Sequence, residues 1–252
     1  MAGEAWKVKY LDPQGVKITL GLPHRRRGDR SMAKKKPDAL IQLTRLEDST
    51  LEIPITGVTP LIPHKWSEKA KRMMPGHPDK DAAKTVKGPK NPEEEADACL
   101  YYMPQEQGKA ARIGMPATAF KAAIIGACRF FEKPTMVEAK QMIFVEGEGP
   151  EQLVEITYGS MVLREDTPRN TNGSSDLRYR YALHDWTAVV QVHFPANIIT
   201  GDSVVTLVDA GGRGGIGDWR PSAPKSYTGT YGTWRVDQEA LAASAGKKVK
   251  RG

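Results

Sequence analysis

A short apolar helix pattern that runs directly into a cluster of glycines constrains this chain more than any other feature. The helical spacing covers residues 203–210, and the glycines that follow are Gly211, Gly212, Gly214, Gly215 and Gly217. Glycine has no Cβ, so a chain rich in it turns sharply and lets other groups approach its backbone. The segment up to Val236 therefore predicts a helix, a tight glycine loop and a short terminal strand.

Charged and aromatic residues accompany these glycines. Arg213 and Arg220 supply positive charge, and Trp219 supplies a flat aromatic face. Backbone amides that no Cβ shields, together with arginine and an aromatic ring, are typical of sites for a phosphodiester chain. We therefore regard Gly212, Gly214, Gly215 and Gly217 with these three side chains as a candidate binding loop. The alternative is a glycine-rich turn that only joins a helix to a strand.

The same residues also match the dinucleotide-binding pattern G-x-G-x-x-G, from Gly212 to Gly217. That pattern requires a strand before the glycines and a helix and second strand after them. Here a helical pattern precedes the glycines, and a loop containing Pro221 and Pro224 follows. We therefore reject a nucleotide-cofactor site, and we expect no cofactor.

The positive charge is concentrated at the two ends of the chain. The net charge is +7, and residues 1–38 contain ten lysines and arginines against four carboxylates. Four further basic residues lie at the other end: Lys247, Lys248, Lys250 and Arg251. We expect a basic flexible arm over 1–38 and a basic tail over 239–252. Such ends bind nucleic acid or other acidic surfaces, or they only keep the protein soluble.

Composition excludes several classes of protein. No apolar run approaches the roughly 18 to 20 residues of a membrane span, and the first ten residues lack the apolar stretch of a signal peptide. We expect a cytoplasmic protein without a membrane partner. The two cysteines, Cys99 and Cys128, have no paired spacing and are expected to be reduced core residues. The five histidines are scattered, so we expect no metal site.

The pattern of elements favours an α+β fold. Strand-like runs cover 39–46 and 51–58 as an expected hairpin joined by the polar residues 47–50, then 142–146, 153–157, 161–164 and 186–194. Helical patterns cover 65–74, 115–131 and 203–210, and residues 165–180 are expected to form a polar loop. A polar, proline-rich insertion separates the first helix from the second at 75–92. This order predicts one domain over 39–238, with two helices packed on one face of an antiparallel sheet, as in ferredoxin-like and RNA-recognition-motif folds.

The helix predicted over 115–131 has the clearest amphipathic spacing. Its expected buried face consists of Phe120, Ala123, Ile124, Ala127 and Cys128. Thr118 is placed to cap the helix, and Lys121 and Arg129 lie toward its edges.

Two further groups of residues are candidates for contact with a strand. Lys65 and Lys69 belong to the most basic internal region, and Arg178 and Arg180 alternate with Tyr179 and Tyr181. Guanidinium groups interleaved with aromatic rings are typical of single-strand binders. Nearby carboxylates nearly balance these arginines, so surface ion pairing is the alternative. We expect Trp66, Trp186 and Trp234 to be core or interface residues.

Two segments resemble the RAMP superfamily, in particular the Cas7-like backbone subunits of CRISPR effector complexes. The helix entry Met115-Pro-Ala-Thr-Ala-Phe-Lys121-Ala is similar to that family's entry, and the segment from Asp209 to Gly217 is similar to its late glycine-rich loop. Ala122 and Ile125 stand where the family has a glycine and often an arginine. A third stretch, residues 57–71, resembles uncharacterised bacteriophage proteins, which suggests a phage or mobile-element origin.

The resemblance implies a subunit that polymerises along a single strand, with Thr118, Lys121 and Arg213 against its backbone and the insertion 75–92 in the position of a thumb. The leading hypothesis is therefore a non-catalytic protein that binds single-stranded nucleic acid as a homo-oligomer or with effector-complex subunits, with RNA as the first candidate ligand and single-stranded DNA as the second. The alternatives are a phage structural or interaction protein without a nucleic-acid ligand, and a metal-independent ribonuclease of the same fold.

Removal of residues 1–31 should leave folding intact, because this stretch has neither an apolar face nor a helical or strand period. Met32 also resembles a second chain start. The shortened protein should melt cooperatively at nearly the wild-type temperature and bind nucleic acid slightly more weakly, since basic residues are lost. Thermal melting and a binding titration measure both effects, and a non-cooperative transition would contradict the prediction.

Overall fold

A computed structural model of the protein describes residues 10–11, 17–18, 43–66, 68–72, 74, 91–105, 107, 110–167, 177–224 and 227–249. Contacts divide the chain into two units, Met1–Thr44 and Arg45–Gly252. In the first unit, strand β1 (Tyr10–Leu11) pairs antiparallel with β2 (Lys17–Ile18). The rest of the predicted arm and residues 75–90 of the predicted insertion lie outside the described residues.

The second unit contains the remaining elements. In chain order they are β3 (Asp48–Gly57), α1 (Glu68–Arg72), α2 (Pro92–Asp97), β4 (Tyr101–Tyr102), β5 (Ile113–Pro116), α3 (Ala117–Ala127), a 3₁₀ turn (Cys128–Phe130), α4 (Met136–Met142), β6 (Phe144–Glu146), β7 (Leu153–Ile156), β8 (Ser160–Asp166), β9 (Arg178–His184), β10 (Thr187–Pro195), α5 (Gly201–Gly211), β11 (Trp234–Val236) and α6 (Gln238–Val249).

The main sheet has four antiparallel strands in the order β11-β3-β10-β6. Its centre is the long pairing of β3 with β10, from Asp48 opposite Pro195 to Thr56 opposite Thr187. Helix α3 lies between β3 and β6 in the chain, and α5 connects β10 to β11. Two such β-α-β halves interleaved in this order form a ferredoxin-like sheet. The predicted α+β fold class is therefore confirmed.

The alternation of side chains along the central strands explains why the helices cover one face. Val190 and Val192 of β10 and Ile53 and Ile55 of β3 are buried, while the residues between them point the other way. A strand with this period of two buries one face only. Helices α3 and α5 contribute their apolar residues to the same core, including Phe120, Ile124, Leu207 and Val208.

Two smaller sheets surround this core. Strands β4, β5 and β7 form a three-stranded sheet, and β8 and β9 form a hairpin. Strand β5 runs directly into α3, so the start of that helix is fixed by a sheet. Backbone hydrogen bonds of 2.9 and 2.8 Å between Leu61 and Leu183 attach the residues that follow β3 to strand β9.

Three local predictions are wrong. Of the strand predicted over 39–46, the described residues 43–46 are not a strand, and β3 pairs with β10 and β11 instead of forming a hairpin with the preceding residues. Residues 47–50 were expected to form a polar turn. Asp48–Thr50 instead extend β3, because strand β10 continues alongside them and pairs with their backbone. Residues 178–180, expected in a polar loop, begin β9, which pairs with β8 over its length.

The start of α3 also differs from the prediction. Thr118 does not cap the helix, because it is already the second helical residue and the N-cap position is held by Pro116. The expected buried face of the helix is confirmed for all five residues. A helix that the periodicity missed, α4, begins with a capping box between Thr135 and Glu138. That Thr-x-x-Glu spacing was the available sequence signal.

Replacement of two glycines should have opposite effects on stability. A Cβ on Gly212 would lie 1.9 Å from the carbonyl oxygen of Trp234, so Gly212→Ala should lower the free energy of unfolding by at least about 1–3 kcal/mol. A Cβ on Gly126, inside α3, would meet nothing within 4 Å, so Gly126→Ala should stabilise by about 0.5–1 kcal/mol. Urea denaturation of both variants measures the difference, and a stable Gly212→Ala variant would contradict this packing.

Candidate functional site

The glycine loop after α5 is folded against the core. Ile216, at its centre, is only 1% exposed. Its amide donates to the carbonyl of Gly232 at 3.0 Å, and the amide of Asp218 donates to the carbonyl of Ile62 at 2.8 Å. Gly215 and Gly217 have φ values of 66° and 78°, which side chains rarely adopt. The loop is thus a fixed turn held from both sides by neighbouring segments of backbone.

The close approach of protein backbone explains three of the glycines. A Cβ on Gly212, Gly215 or Gly217 would lie 1.9, 2.8 or 2.4 Å from a carbonyl oxygen, of Trp234, Tyr231 and Ile62 respectively. The sequence was interpreted as a loop that leaves its amides open to a ligand. In the structure, the space at these three positions is filled by the protein itself.

A groove of about 560 Å³ lies between this loop and helix α3. Its lining includes five of the residues predicted to bind, namely Thr118, Arg129, Gly215, Gly217 and Arg220. It also includes four residues that the sequence analysis did not select for binding, namely His64, Trp66, Tyr101 and Asp218. The fold therefore brings the start of α3 and the glycine loop together, although about ninety residues separate them in the chain.

The N-terminus of α3 opens into this groove without a side-chain cap. Pro116 makes no capping hydrogen bond, and the amide of Ala117 donates to the carbonyl of Gln152 at 2.8 Å. Thr118 and Ala119, whose amides come next, line the groove. The first amides of a helix have no partner within it and carry a partial positive charge. This end of the groove is therefore suited to an anion.

Two arginines add full positive charge to the groove. Arg129 is exposed and lies in the 3₁₀ turn that follows α3. Arg220 is half-buried and donates one hydrogen bond, from Nη1, to the carbonyl of Gly217 at 2.9 Å. A guanidinium group has five donors, so this bond leaves most of Arg220's donors for another acceptor.

A buried chain of polar side chains supports the other wall of the groove. Arg180 is 8% exposed and donates from Nη2 to Nε2 of His64 at 3.1 Å. Nδ1 of His64 lies 3.3 Å from Oδ2 of Asp218. Because arginine only donates, Nε2 is the accepting nitrogen, and Nδ1 carries the hydrogen that is directed at Asp218. Both ring nitrogens of His64 are thus engaged within the protein.

This arrangement changes the ionisation of Asp218. Burial opposes the charged form, but the hydrogen bond from His64 and a 3.1 Å bond from the Trp219 amide favour it. The positive charge of Arg180 acts in the same direction. The pKa of Asp218 therefore lies below its ordinary value, and its negative charge is balanced from within the protein.

Several predicted binding residues lie outside the groove. Arg180 is buried under it, and Nε of Arg180 has no hydrogen-bond partner among the described residues. Lys121 stacks on the edge strand, with Nζ 4.0 Å from the ring centroid of Phe144. Arg213 is exposed on the turn after α5 but does not line the groove. Trp219 is half-buried and has a φ of 57°.

The remaining predicted residues are placed as follows. Lys65 forms a bidentate ion pair with Glu151, at 2.9 and 3.0 Å, and lies 5.5 Å from the centroid of the Tyr101 ring. Arg178 is half-buried at the start of β9, and the side chain of Lys69 lies outside the described residues. Gly214 is half-buried, and a Cβ there would lie 3.3 Å from the carbonyl of Gly211.

The expected environments of the cysteines and tryptophans can also be compared. Cys99 and Cys128 are free and buried, as expected. Trp186 and Trp234 belong to the core, whereas Trp66 is 54% exposed in the groove. Within the described parts of the chain, no three histidine, cysteine or acidic residues are grouped as a metal site would need, and no helix is both long and apolar enough to cross a membrane.

Similarity to known proteins is found among solved structures. No protein-family model matches the chain, and no curated protein matches it. A chain from a cryo-EM structure of a type III-B Cmr-beta complex bound to cognate target RNA has a TM-score of 0.43 and 11% sequence identity. The match covers 76% of this chain and 60% of that one, so the chain spans less than two thirds of its neighbour's length.

Asp218→Asn should destabilise the protein in a pH-dependent way. The lowered pKa means that the ionised carboxylate contributes stability above its ordinary pKa of 3.8, and that this contribution is lost as the pH falls. At pH 7 the variant should lose about 1–2 kcal/mol of unfolding free energy, and the difference from wild type should shrink below pH 4. Urea denaturation at several pH values measures it.

Glu132→Gln is a suitable control, because Glu132 is exposed and the same charge is removed. It should change stability by no more than about 0.5 kcal/mol at neutral pH. A loss in Asp218→Asn that is independent of pH would show that packing of the side chain, and not its charge, supports the loop.

Proposed function

We propose that the protein binds single-stranded nucleic acid, with RNA as the first candidate ligand and single-stranded DNA as the second, through the sugar–phosphate backbone in the groove between α3 and the glycine loop. The observation that carries this proposal is one open groove that is lined by the uncapped N-terminus of α3, by Arg220 and by Arg129 beyond the other end of that helix. Helix amides and guanidinium groups are the groups that most often contact phosphate oxygens.

The opposite face of the sheet offers a weaker candidate surface. RNA-recognition motifs stack bases on aromatic rings that point outward from the sheet. The outward positions of the two central strands here carry Thr50, Glu52, Thr56, Val189, Gln191 and His193. None of these is aromatic, and Glu146 on the neighbouring strand adds negative charge beside His193, 2.6 Å from its Nε2. The helix side of the fold therefore suits a polyanion better than the sheet face does.

The family resemblance in the sequence supports the same location. The segment from Met115 to Ala122 and the segment from Asp209 to Gly217, which resemble Cas7-like backbone subunits, contribute residues to opposite walls of one groove. Arg129 enters that groove one helical turn after Ile125, which stands where the family often has an arginine. On this basis we propose a Cas7-like subunit, of which several copies line up along one strand.

We propose binding without cleavage. A histidine that acts as a general base must have a ring nitrogen free to take a proton from the reacting hydroxyl group. His64 is the only histidine that lines the groove in the described residues, and both of its ring nitrogens face protein groups. The ribonuclease alternative is tested directly by the length of a labelled RNA strand after incubation, which should not change.

Arg129→Ala should weaken binding and its dependence on salt. Loss of about one phosphate contact should reduce the slope of log affinity against log salt by up to roughly 0.7 for a single strand. Arg235→Ala is the matched control: Arg235 is also exposed, but it lies on β11 between Trp234 and Val236, which face the core. It should leave the slope unchanged. The measurement is fluorescence anisotropy with a labelled single-stranded RNA over a salt series.

Equal slopes for both arginine variants would mean that positive charge acts only in a general way, and the groove would no longer be the binding site. Wild-type protein that shows no length-dependent binding of RNA or single-stranded DNA would instead support the alternative of a structural or interaction protein.

A further inference from the structure

A second groove continues the first one across two aromatic rings. This second groove, of about 470 Å³, is lined by Lys65, Trp66, Lys71, Met74, Tyr101 and Glu151. Trp66 and Tyr101 line the first groove as well. The two grooves therefore meet at these rings and form one track, which runs from the glycine loop to the start of α1.

Trp66 has unusual surroundings for a tryptophan. Its side chain is 54% exposed, while Trp186 and Trp234 are almost completely buried. The indole nitrogens of those two donate to the carbonyls of Thr59 and Val208, at 2.8 and 3.1 Å. Within the described residues, the indole nitrogen of Trp66 has no such partner. Covering a large apolar ring that is half in water with another flat ring lowers the free energy of the system.

The charges along the track indicate which kind of ligand would supply the covering ring. The first groove is lined by the open start of α3, by Arg220 and by Arg129 beyond the other end of that helix. The second carries Lys65 and Lys71, whose ammonium groups pair with the surface carboxylates of Glu151 and Glu68. Exposed ion pairs of this kind are worth little, so a phosphate can replace the carboxylates as the partner of these lysines. With arginines on the other side, the exposed indole then matches a chain that alternates phosphates with flat bases. A protein partner would also cover an exposed tryptophan, but it would not need cations on both sides of the ring.

We propose that Trp66 is a base-stacking platform, on which one unpaired base of the bound strand lies while its flanking phosphates contact the two grooves. This rests on the proposed function, and it adds a requirement that phosphate contacts alone do not impose. Bases in a duplex are already stacked on one another, so the platform selects single strands and requires a base to be present.

The platform is tested with full-length Trp66→Ala and Trp66→Phe, and with Tyr227→Ala as the control, because Tyr227 is fully exposed and lines neither groove. The probes are a labelled single-stranded oligouridine, a duplex of the same length, and an abasic strand with the same backbone. Trp66→Ala should bind oligouridine about 5- to 150-fold more weakly, with an unchanged salt slope and melting temperature. Trp66→Phe and Tyr227→Ala should remain within about fivefold of wild type.

Two further readouts separate stacking from other roles. Wild type and Trp66→Ala should bind the abasic strand equally, because no base is there to stack. Tryptophan emission of the wild type should fall on binding oligouridine, and Trp66→Phe should bind but lose most of that fall.

Several results would overturn the platform. One is a Trp66→Ala variant that loses as much affinity for the abasic strand as for oligouridine. Another is a Trp66→Ala variant that binds oligouridine as tightly as the wild type. In both cases a reduced salt slope of Arg129→Ala would still support the proposed function. Loss of self-association in Trp66→Ala without nucleic acid would assign the ring to a protein interface. A wild-type protein that binds none of the strands would overturn both proposals.

Discussion

The close approach of backbone to backbone around the glycine loop is the constraint on which the site depends. Gly212 lies against the carbonyl of Trp234, and Gly217 lies against the carbonyl of Ile62. These contacts fix β11 at the edge of the sheet and hold the loop against the segment that carries His64. Any side chain larger than hydrogen at these positions would push the loop away from the core and open the wall of the groove.

The same packing decides which charges the groove presents. Asp218 would reduce the positive charge of the groove, but the loop places it beside His64, which is itself held by the buried Arg180. The negative charge of the carboxylate is thus balanced by buried protein groups, while Arg129, Arg220 and the start of α3 line the open groove. On the proposed function, an aspartate in a polyanion site is acceptable for this reason, because its carboxylate is held by a histidine of the protein.

Much of the fold follows from local patterns in the sequence. The spacing of Phe120, Ile124 and Cys128 predicts the buried face of α3, and the alternation around Val190 and Val192 predicts β10. The pairing of β3 with β10 joins residues more than a hundred positions apart, so no local pattern predicts that Asp48–Thr50 form a strand.

The site is harder to predict from the sequence, because its residues come from segments that are far apart in the chain. The glycine loop and the start of α3 could be selected from their residue types, and the fold brings both to one groove. The burial of Arg180, the contact of Lys121 with Phe144 and the exposure of Trp66 depend on neighbours from distant segments. Charge and aromatic content alone indicated Arg180, Arg220 and Trp219 as contacts. Of these the structure keeps Arg220 in the groove, and it adds Trp66.

The distribution of charge also bears on how such a protein would discriminate among ligands. The two ends of the chain carry more positive charge than the net +7 of the whole chain, so the part between them is mildly acidic. Such ends attract any polyanion at low salt. Contacts of that kind are lost together as salt is raised, because each releases counterions. The groove contributes few full charges, but it holds them in fixed positions beside helix amides and an exposed indole. On the proposed function, the discrimination between a single strand and a duplex that persists at higher salt therefore comes from the groove and not from the basic ends.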